Sequence, residues 1–137
     1  MLTIDRSARA TVAAAPERCL ARLSDVEAYP SWASLIRSAE VVGERVRLRA
    51  ELLGVAFEMD CELEVARGRA ILRRVPYDAH DEERFEATWT VAPAGSGSAV
   101  DLHVVAALDA PGPARLLRGR LERRLVDDLL GDFARSV

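Results

Sequence analysis

The chain has 137 residues and a formal net charge of −3, with half of its residues hydrophobic and 30% charged. This size suits one domain around one core, so we expect a single domain over residues 1–137. The composition is that of a globular protein rather than of a disordered chain. A net charge this small argues against a polyanionic partner, and we expect no binding to nucleic acid.

Cysteine usage and hydropathy indicate the cell compartment in which we expect the protein. Cys19 and Cys61 are only two thiols in a domain that is large enough to form its own core, so we expect them to be reduced and buried. No apolar run approaches the roughly 20 residues of a membrane-spanning helix. Residues 1–6 also lack the basic and then apolar pattern of a signal peptide. The expectation is therefore a cytoplasmic protein that does not insert stably into a membrane.

The N-terminal third predicts one strand and two short helices. Residues 2–12 form the predicted first strand. Pro16 and Glu17 then open a short helix, because a proline in the first helical turn loses no hydrogen bond and an acidic side chain suits the positive helix end. A second short helix, again with a proline near its start, is predicted from Tyr29 through Ile36.

From residue 37 onward the hydrophobic period changes to two. In the clearest run, apolar side chains alternate with mostly acidic ones at Val55, Phe57, Met59, Cys61, Leu63 and Val65. This pattern predicts a long strand with one buried face and one wet face. Further strands are predicted over residues 46–52, 69–75, 82–92 and 99–109. The turns between them are short, so neighbouring strands must be antiparallel.

The C-terminal segment after Pro111-Gly112-Pro113 predicts one long helix. Over residues 113–135 apolar side chains recur at intervals of three and four, which corresponds to a helix about 35 Å long. The predicted fold class is α+β: a seven-stranded curved antiparallel sheet around this helix, with the two short helices between strands 1 and 2. Because a curved sheet and a straight helix pack incompletely, we expect a ligand-sized apolar cavity between them.

Two segments carry a family resemblance. Residues 14–18 (AAPER) and residues 23–32 (LSDVEAYPSW) resemble the signature of the START-like helix-grip superfamily, which includes polyketide cyclase/dehydrase and lipid-transport proteins and the coenzyme Q-binding proteins. The resemblance extends over essentially the whole chain and implies the helix-grip fold. Functions in the superfamily range from lipid carriage and hormone binding to polyketide cyclisation, so the fold alone does not decide the function.

Alternation along the strands predicts which side chains face the cavity. The predicted strand set is Leu48, Ala50, Phe57, Met59, Cys61, Phe85, Ala87 and Trp89, and Leu117 and Leu121 of the helix face back toward it. Each of these residues is also what an ordinary core would contain. As a set, however, the small residues Ala50, Ala87 and Ala106 leave space among the large side chains that nothing else in the sequence fills. A flexible side chain such as Met59 also suits a pocket that binds a ligand.

Trp32 and two charged residues of the last helix are further candidates for ligand binding. The resemblance places Trp32 at the cavity mouth, although it can equally fix the second short helix to the sheet. Arg118 and Glu122 lie four residues apart within the apolar arc of the last helix. They either pair with each other at the helix edge or face inward, where the two would be the polar anchor that orients a carbonyl or hydroxyl group of a ligand.

The titratable residues predict no recognisable catalytic or metal centre. Asp101 and His103 share one face of the last strand, but the alternate residues are the better inward set, so we expect this pair to face water. His80 lies in a loop, where it either rims the cavity or belongs to a solvated turn. Two histidines and two cysteines at unrelated positions do not predict a metal site, and no sequence motif indicates a cofactor.

Three functions are compatible with the sequence. The first is the binding or carriage of a small hydrophobic molecule such as a lipid, a quinone or a polyketide. The second is a polyketide cyclase or aromatase, whose acid and base would come from the inward candidates Arg74, Tyr77, His80, His103, Arg118 and Glu122. The third is a protein-interaction module, which would be marked by an apolar patch that faces solvent.

Overall fold

The computed structural model describes residues 1–110 and 112–137, and for residue 114 the backbone alone. Strand β1 is Leu2–Val12, helix α1 is Pro16–Ser24, and after a 3-10 turn at Val26–Ala28 helix α2 is Tyr29–Trp32. The remaining strands are β2 Ile36–Val42, β3 Arg45–Leu52, β4 Val55–Ala66, β5 Arg69–Arg74, β6 Arg84–Ala94 and β7 Gly97–Leu108.

The strands form one seven-stranded sheet in the order β1-β7-β6-β5-β4-β3-β2, and every pair of neighbours is antiparallel. Strands β2 to β7 follow one another as a meander, and β1 closes against β7 with Leu2 opposite Leu108 and Val12 opposite Ser98. Period-two alternation puts Val100, Leu102 and Val104 on the buried face. The predicted α+β fold with a curved antiparallel sheet is therefore confirmed.

The first helix is joined to the last hairpin by a close backbone approach. At Gly97 a Cβ atom would lie 2.0 Å from the carbonyl oxygen of Val12, so only glycine allows β1 and β7 to meet there. The adjacent Ser98 is fully buried, and its hydroxyl donates a hydrogen bond of 2.7 Å to the carbonyl oxygen of Ala14. These contacts fix where the chain leaves β1 and enters α1.

Helix α2 is shorter than predicted. The helix ends at Trp32, and Ala33 already has extended backbone angles of φ −92° and ψ 104°. Ile36 instead begins β2, where it lies opposite Ala50, and the Glu51 N–H donates to the carbonyl oxygen of Leu35 over 2.9 Å. The prediction of a helix through Ile36 was wrong because buried apolar residues at a strand start look like a helix continuation.

The C-terminal helix starts later than predicted. A short turn of helix, α3 at Gly112–Arg115, is followed by a break at residues 116–117. The C-terminal helix proper then runs over residues 118–136, as Arg118–Glu122, a π-helical segment Arg123–Asp128 and Leu129–Ser136. The break occurs where Leu117 has φ −102° and ψ 18°. Leu116 is therefore 88% exposed instead of packing on the sheet.

The C-terminal helix packs over one side of the sheet. Its main contacts are with β1, β7 and α2. Its buried side chains are Leu121, Leu125, Val126, Leu129, Leu130 and Phe133. The concave faces of β3 and β4 are less completely covered, since Ala50, Phe57 and Met59 are only partly buried. Incomplete cover on this side is the origin of the cavity described below.

An ion pair holds the helix to the first strand. The guanidinium of Arg6 donates to both carboxylate oxygens of Asp127, over 3.0 Å and 2.7 Å, and lies 4.0 Å from Glu122. The hydrogen bond from Arg6 lowers the pKa of Asp127 below its usual value. Both side chains are more than one third exposed, so solvent screens much of the attraction.

Removing this carboxylate charge should destabilise the fold modestly. We expect Asp127→Asn to lower the free energy of unfolding at pH 7 by about 1 kcal/mol, because a bidentate pair exceeds an ordinary surface pair. The folded-state pKa is depressed, so the contribution is complete above the ordinary aspartate pKa and disappears as the pH falls through the folded-state value. Urea denaturation over pH 2–7 measures it. Asp128→Asn, at the exposed Arg124–Asp128 pair of 3.6 Å, is the control, and an equal loss there would contradict the assignment.

Candidate functional site

A partly enclosed apolar cavity lies between the concave face of the sheet, helix α2 and the C-terminal helix. Its volume is about 50 Å³. We call it the inner cavity. It is lined by Tyr29, Trp32, Leu35, Ile36, Leu48, Ala50, Leu52, Phe57, Met59, Leu72, Phe85, Ala87, Trp89, Leu108, Leu125 and Leu129. Among these residues only the tyrosine hydroxyl and the tryptophan N–H groups are polar side-chain groups.

Most of the predicted strand residues come together at this cavity. Those that line it are Trp32, Leu48, Ala50, Phe57, Met59, Phe85, Ala87 and Trp89. Cys61 is fully buried on the same sheet face but is not part of the lining. Burial raises the pKa of its thiol to about 12. Ala106, expected to leave room, is likewise buried outside the lining.

Leu117 and Leu121 line a second space nearer the surface, which we call the outer pocket. It has a volume of about 170 Å³ and is bounded by Leu52, Leu53, Val55, Phe57, Pro113, Leu117 and Leu121. Leu52 and Phe57 border both spaces. These two side chains therefore form the partition between the inner cavity and the outer pocket.

The inner cavity is smaller than the sequence led us to expect. An apolar cavity of about 150 Å³ accepts benzene, whereas the inner cavity has about one third of that volume. Large side chains occupy the room that the alanines leave: Phe57, Met59 and Phe85 reach into it and are themselves only partly buried. A ring-sized molecule therefore does not fit the inner cavity with Phe57, Met59 and Phe85 in these positions.

Several lining residues were missed at the sequence level. Leu52 continues the alternation of β3, and Leu125 and Leu129 follow Leu121 at helical spacing, so the pattern contained a signal for these three. Leu35 and Ile36 were missed because they were assigned to a helix. Tyr29 belongs to the LSDVEAYPSW segment that carries the family resemblance, but no hydrophobic period assigned it to the cavity.

Four aromatic rings fix one end of the inner cavity. The ring of Trp32 lies 5.2 Å from that of Tyr29, 5.5 Å from that of Phe133 and 6.2 Å from that of Trp89, all edge to face. Trp89 and Phe133 are 5.2 Å apart. Trp32 thus lines the cavity and packs α2 against the C-terminal helix through Phe133 and against the sheet through Trp89. Its Nε1–H is buried with no hydrogen-bond partner among the described residues.

The loop after Trp32 is tied to the C-terminal helix. The Ser34 N–H and hydroxyl donate to one carboxylate oxygen of Asp132, over 2.9 Å and 2.8 Å, and Arg135 donates to the other over 2.6 Å. Burial acts to raise the pKa of Asp132, but these hydrogen bonds outweigh it and the pKa is lowered. The hydrogen bonds from Ser34 to Asp132 hold the loop after Trp32 against the C-terminal helix.

The charged candidates lie away from the inner cavity. Arg118 is 55% exposed, and its Nε–H donates to Glu122 over 3.1 Å, so the two residues pair at the helix edge. His103 is exposed on the outer face of the sheet, 2.7 Å from Asp5. Asp101 accepts two hydrogen bonds from Arg9 on that same face, as the alternation indicated. His80 is exposed in the loop between β5 and β6.

Arg74 faces the concave side at its edge but is engaged by the loop that follows it. It lies opposite Cys61, and its guanidinium donates to Asp81 over 2.7 Å and to the carbonyl oxygen of Glu83 over 2.9 Å. The hydrogen bond from Arg74, with a second from the Tyr77 N–H, lowers the pKa of Asp81 to about 2. The Tyr77 side chain is 90% exposed.

This cluster makes the loop sensitive to acid. Asp81 has a depressed folded-state pKa, so its stabilising contribution is complete above about pH 4 and disappears as the pH falls toward about 2. We therefore expect Asp81→Asn to be less stable than the native protein at pH 7 and equally stable near pH 2. Thermal unfolding across this range measures the difference. Asp78→Asn, in the same loop, is the control, and a pH-independent difference for Asp81→Asn would contradict the assignment.

The outer pocket opens at the β3–β4 turn. Leu53 has φ +49° and Gly54 has φ +82°, as a two-residue turn with both central residues at positive φ requires. Positive φ is unfavourable for leucine. Leu53 is 42% exposed, and Leu117 across the opening is 37% exposed. The rim of the outer pocket is therefore apolar and partly formed by a strained backbone conformation.

Over residues 1–110 and 112–137, no three histidine, cysteine, aspartate or glutamate side chains come close enough to hold a metal ion. Nor does any helix in this part of the chain have the length and hydropathy needed to cross a bilayer.

Comparisons with known proteins agree with this architecture. A family model described as polyketide cyclase / dehydrase and lipid transport matches residues 3–137. No curated protein sequence matches the chain.

Several solved structures share the fold. TTHA0849 from Thermus thermophilus is 24% identical, with a TM-score of 0.78 and coverage of 96% of this chain and 95% of that one. The Zhui aromatase/cyclase from a Streptomyces species is 18% identical, with a TM-score of 0.72 over 97% and 93% of the two chains. A STAR-related lipid transfer protein from Xanthomonas axonopodis is 17% identical, with a TM-score of 0.69 over 94% and 82%. At these identities the likeness shows the fold alone.

Proposed function

Because the chain belongs to the polyketide cyclase/dehydrase and lipid transport family, we propose that it binds a small hydrophobic molecule in the inner cavity without carrying out a reaction on it. The observation that carries this proposal is the chemistry of the lining. Aliphatic and aromatic side chains enclose the space, and Tyr29 is the only one of the lining residues with a titratable side chain. Such a lining recognises apolar surface and has little means to move protons.

The titratable groups nearest the cavity are unsuited to catalysis. Burial, reinforced by the charge of Asp25, raises the pKa of the Tyr29 hydroxyl, which donates its proton to the carbonyl oxygen of Leu23. The Cys61 thiol has a pKa of about 12 and stays protonated at neutral pH, so it is a poor nucleophile. Neither group is placed or poised to act as a general acid or base.

Entry through the outer pocket accounts for the exposed leucines. Leu53 and Leu117 border the outer pocket, and Phe57 separates it from the inner cavity. Movement of Phe57 would join the two spaces into one that takes a ring-sized ligand. The exposed apolar residues of the rim are then explained by entry of the ligand. They therefore give little support to the third candidate function, a protein-interaction module.

A cyclase or aromatase is the second candidate and has less support. Such an enzyme needs an acid and a base that reach the ligand. Arg74 is engaged by Asp81 and Glu83, Arg118 pairs with Glu122, and His103 lies on the outer face. These positions favour binding over catalysis.

Substitutions at Phe57, which separates the two spaces, and at Ala87, in the wall of the inner cavity, should change the ligand affinity in opposite directions. We expect Ala87→Leu to fill the inner cavity and weaken binding of nitrobenzene, a neutral single-ring quencher of tryptophan fluorescence, at least tenfold, whereas Phe57→Ala enlarges the site and strengthens it. Quenching of tryptophan fluorescence gives the dissociation constants, and circular dichroism checks the fold. Val65→Ala, at an exposed position of β4, is the control. Equal affinity in the native protein and Ala87→Leu would place the probe elsewhere.

Substitutions at Leu53, in the strained β3–β4 turn, test the rim of the outer pocket separately from the inner cavity. We expect Leu53→Asn to raise the free energy of unfolding by about 0.5 kcal/mol, because asparagine tolerates positive φ better than leucine, and to slow uptake of nitrobenzene. Leu53→Ala should slow uptake without stabilising, since it keeps the strain and loses the apolar side chain. Stopped-flow quenching of tryptophan fluorescence measures uptake. Unchanged uptake in both variants would count against entry at this turn.

A further inference from the structure

Three exposed leucines surround the opening of the outer pocket. Leu53 and Leu117 border the pocket and are 42% and 37% exposed. Leu116, in the break between α3 and the C-terminal helix, is 88% exposed and lines neither space. A single exposed leucine is ordinary, but three at one opening form an apolar patch, which we call the leucine rim. Entry of a ligand explains the first two residues and leaves Leu116 without a role.

The segment that carries two of these leucines is strongly basic. Residues 109–124 contain five arginines and two acidic residues, which gives a formal charge of +3 in a chain of −3 overall. The sequence at residues 115–118 is Arg-Leu-Leu-Arg, so positive charge flanks the exposed leucines on both sides. Leu53 also borders a surface recess that is lined by Arg120, Arg123, Arg124 and Asp128. Apolar and cationic groups therefore share one surface.

The fold does not neutralise all of this charge. Two of the five arginines pair with carboxylates of the same helix, over 3.1 Å and 3.6 Å. Within the described part of the chain, Arg115, Arg120 and Arg123 form no ion pair. Arg118 and Arg120 also stand in the first turn of the C-terminal helix, where the helix dipole disfavours positive charge. Folding alone does not account for cations at this position, whereas an anionic partner would stabilise them.

The combination of aliphatic tips and unpaired arginines selects the class of partner. We propose that the leucine rim and the arginines beside it dock the opening of the outer pocket reversibly onto an anionic membrane surface. Aliphatic side chains enter the boundary between head groups and acyl chains, while arginines bind the lipid phosphates. The proposal goes beyond binding in the inner cavity, because none of these residues lines that cavity.

A membrane suits this surface better than an acidic protein does. Leucine is under-represented among the residues that dominate binding between proteins, whereas tryptophan and tyrosine are enriched there. The exposed apolar tips of the rim are all leucines. Acidic side chains of the two strands that lead into the turn do not oppose docking. Glu51 pairs with Arg37 over 3.4 Å, and Glu58 pairs with Arg49 over 3.7 Å.

Co-sedimentation with lipid vesicles tests the arginines. At about 0.1 M salt we expect the native protein to bind vesicles of phosphatidylglycerol and phosphatidylcholine, and not vesicles of phosphatidylcholine alone. Each arginine at the surface strengthens binding roughly fivefold, so Arg120→Gln with Arg123→Gln should weaken it roughly 25-fold. Arg67→Gln with Arg69→Gln is the control, because it removes the same charge from exposed positions at the opposite end of β4. It should change binding less than about threefold, since the positions lie beyond the Debye length from the rim.

Contact of the rim with lipid can be measured at Leu116 itself. The native Cys19 and Cys61 are buried, so the new thiol of Leu116→Cys can be labelled selectively with the environment-sensitive dye NBD. We expect the emission of the label to shift to shorter wavelength when phosphatidylglycerol vesicles are added. Val42→Cys, at a position that is 44% exposed at the opposite end of β3, is the control and should not shift. Without a label, Leu116→Ser should weaken vesicle binding at least fivefold.

Several results would overturn the docking. These are equal binding to vesicles with and without phosphatidylglycerol, equal losses in the two double arginine variants, and an unshifted label on Leu116→Cys. Binding of soluble polyglutamate as tightly as the vesicles would also overturn it, and would indicate an acidic protein as the partner. Quenching by nitrobenzene without vesicles still measures binding in the inner cavity, so the docking and the proposed function fail separately.

Discussion

A single helix has to cover the concave face of a seven-stranded sheet. The rest of the structure depends on the part of that face that the helix leaves uncovered. The helix packs over β1 and β7, where Phe133 and Val126 are fully buried. On β3 and β4, Phe57 and Met59 have apolar side chains on the same concave face but remain partly exposed. Closer packing on one side of the sheet thus leaves the inner cavity on the other side.

The outer face of the sheet shows the complementary arrangement. Cross-strand pairs such as Arg47 with Asp60 and Arg73 with Glu86 satisfy the charges with one another in solvent. Charged groups are thus kept on the convex side, and the concave side holds almost purely apolar groups. This separation explains why His103 and Asp101, which looked like an acid and base pair in the sequence, have no access to the cavity.

The fold could be predicted from the sequence because its signals are local. Alternation in β4 fixed which face of the sheet is buried, and short turns fixed antiparallel pairing. The size of the cavity could not be predicted in this way, since it depends on how far side chains such as Phe57 reach across the space. Likewise, no periodic pattern distinguishes Leu116, which is exposed, from Leu121, which is buried, because the helix break at residues 116–117 depends on tertiary packing.

Three energetic costs fall on residues that line the inner cavity or the outer pocket. A void of about 50 Å³ costs about 1 kcal/mol in lost packing. The unpaired Trp32 N–H and the leucine at positive φ in the β3–β4 turn each cost a similar amount or more. Single substitutions would remove each cost separately: a larger residue at Ala87, phenylalanine at Trp32, asparagine at Leu53. A bound apolar molecule that fills the inner cavity would offset the first cost alone. The other two lie at different places, the aromatic cluster around Trp32 and the β3–β4 turn at Leu53, so each substitution reports on one cost and the three can be measured independently.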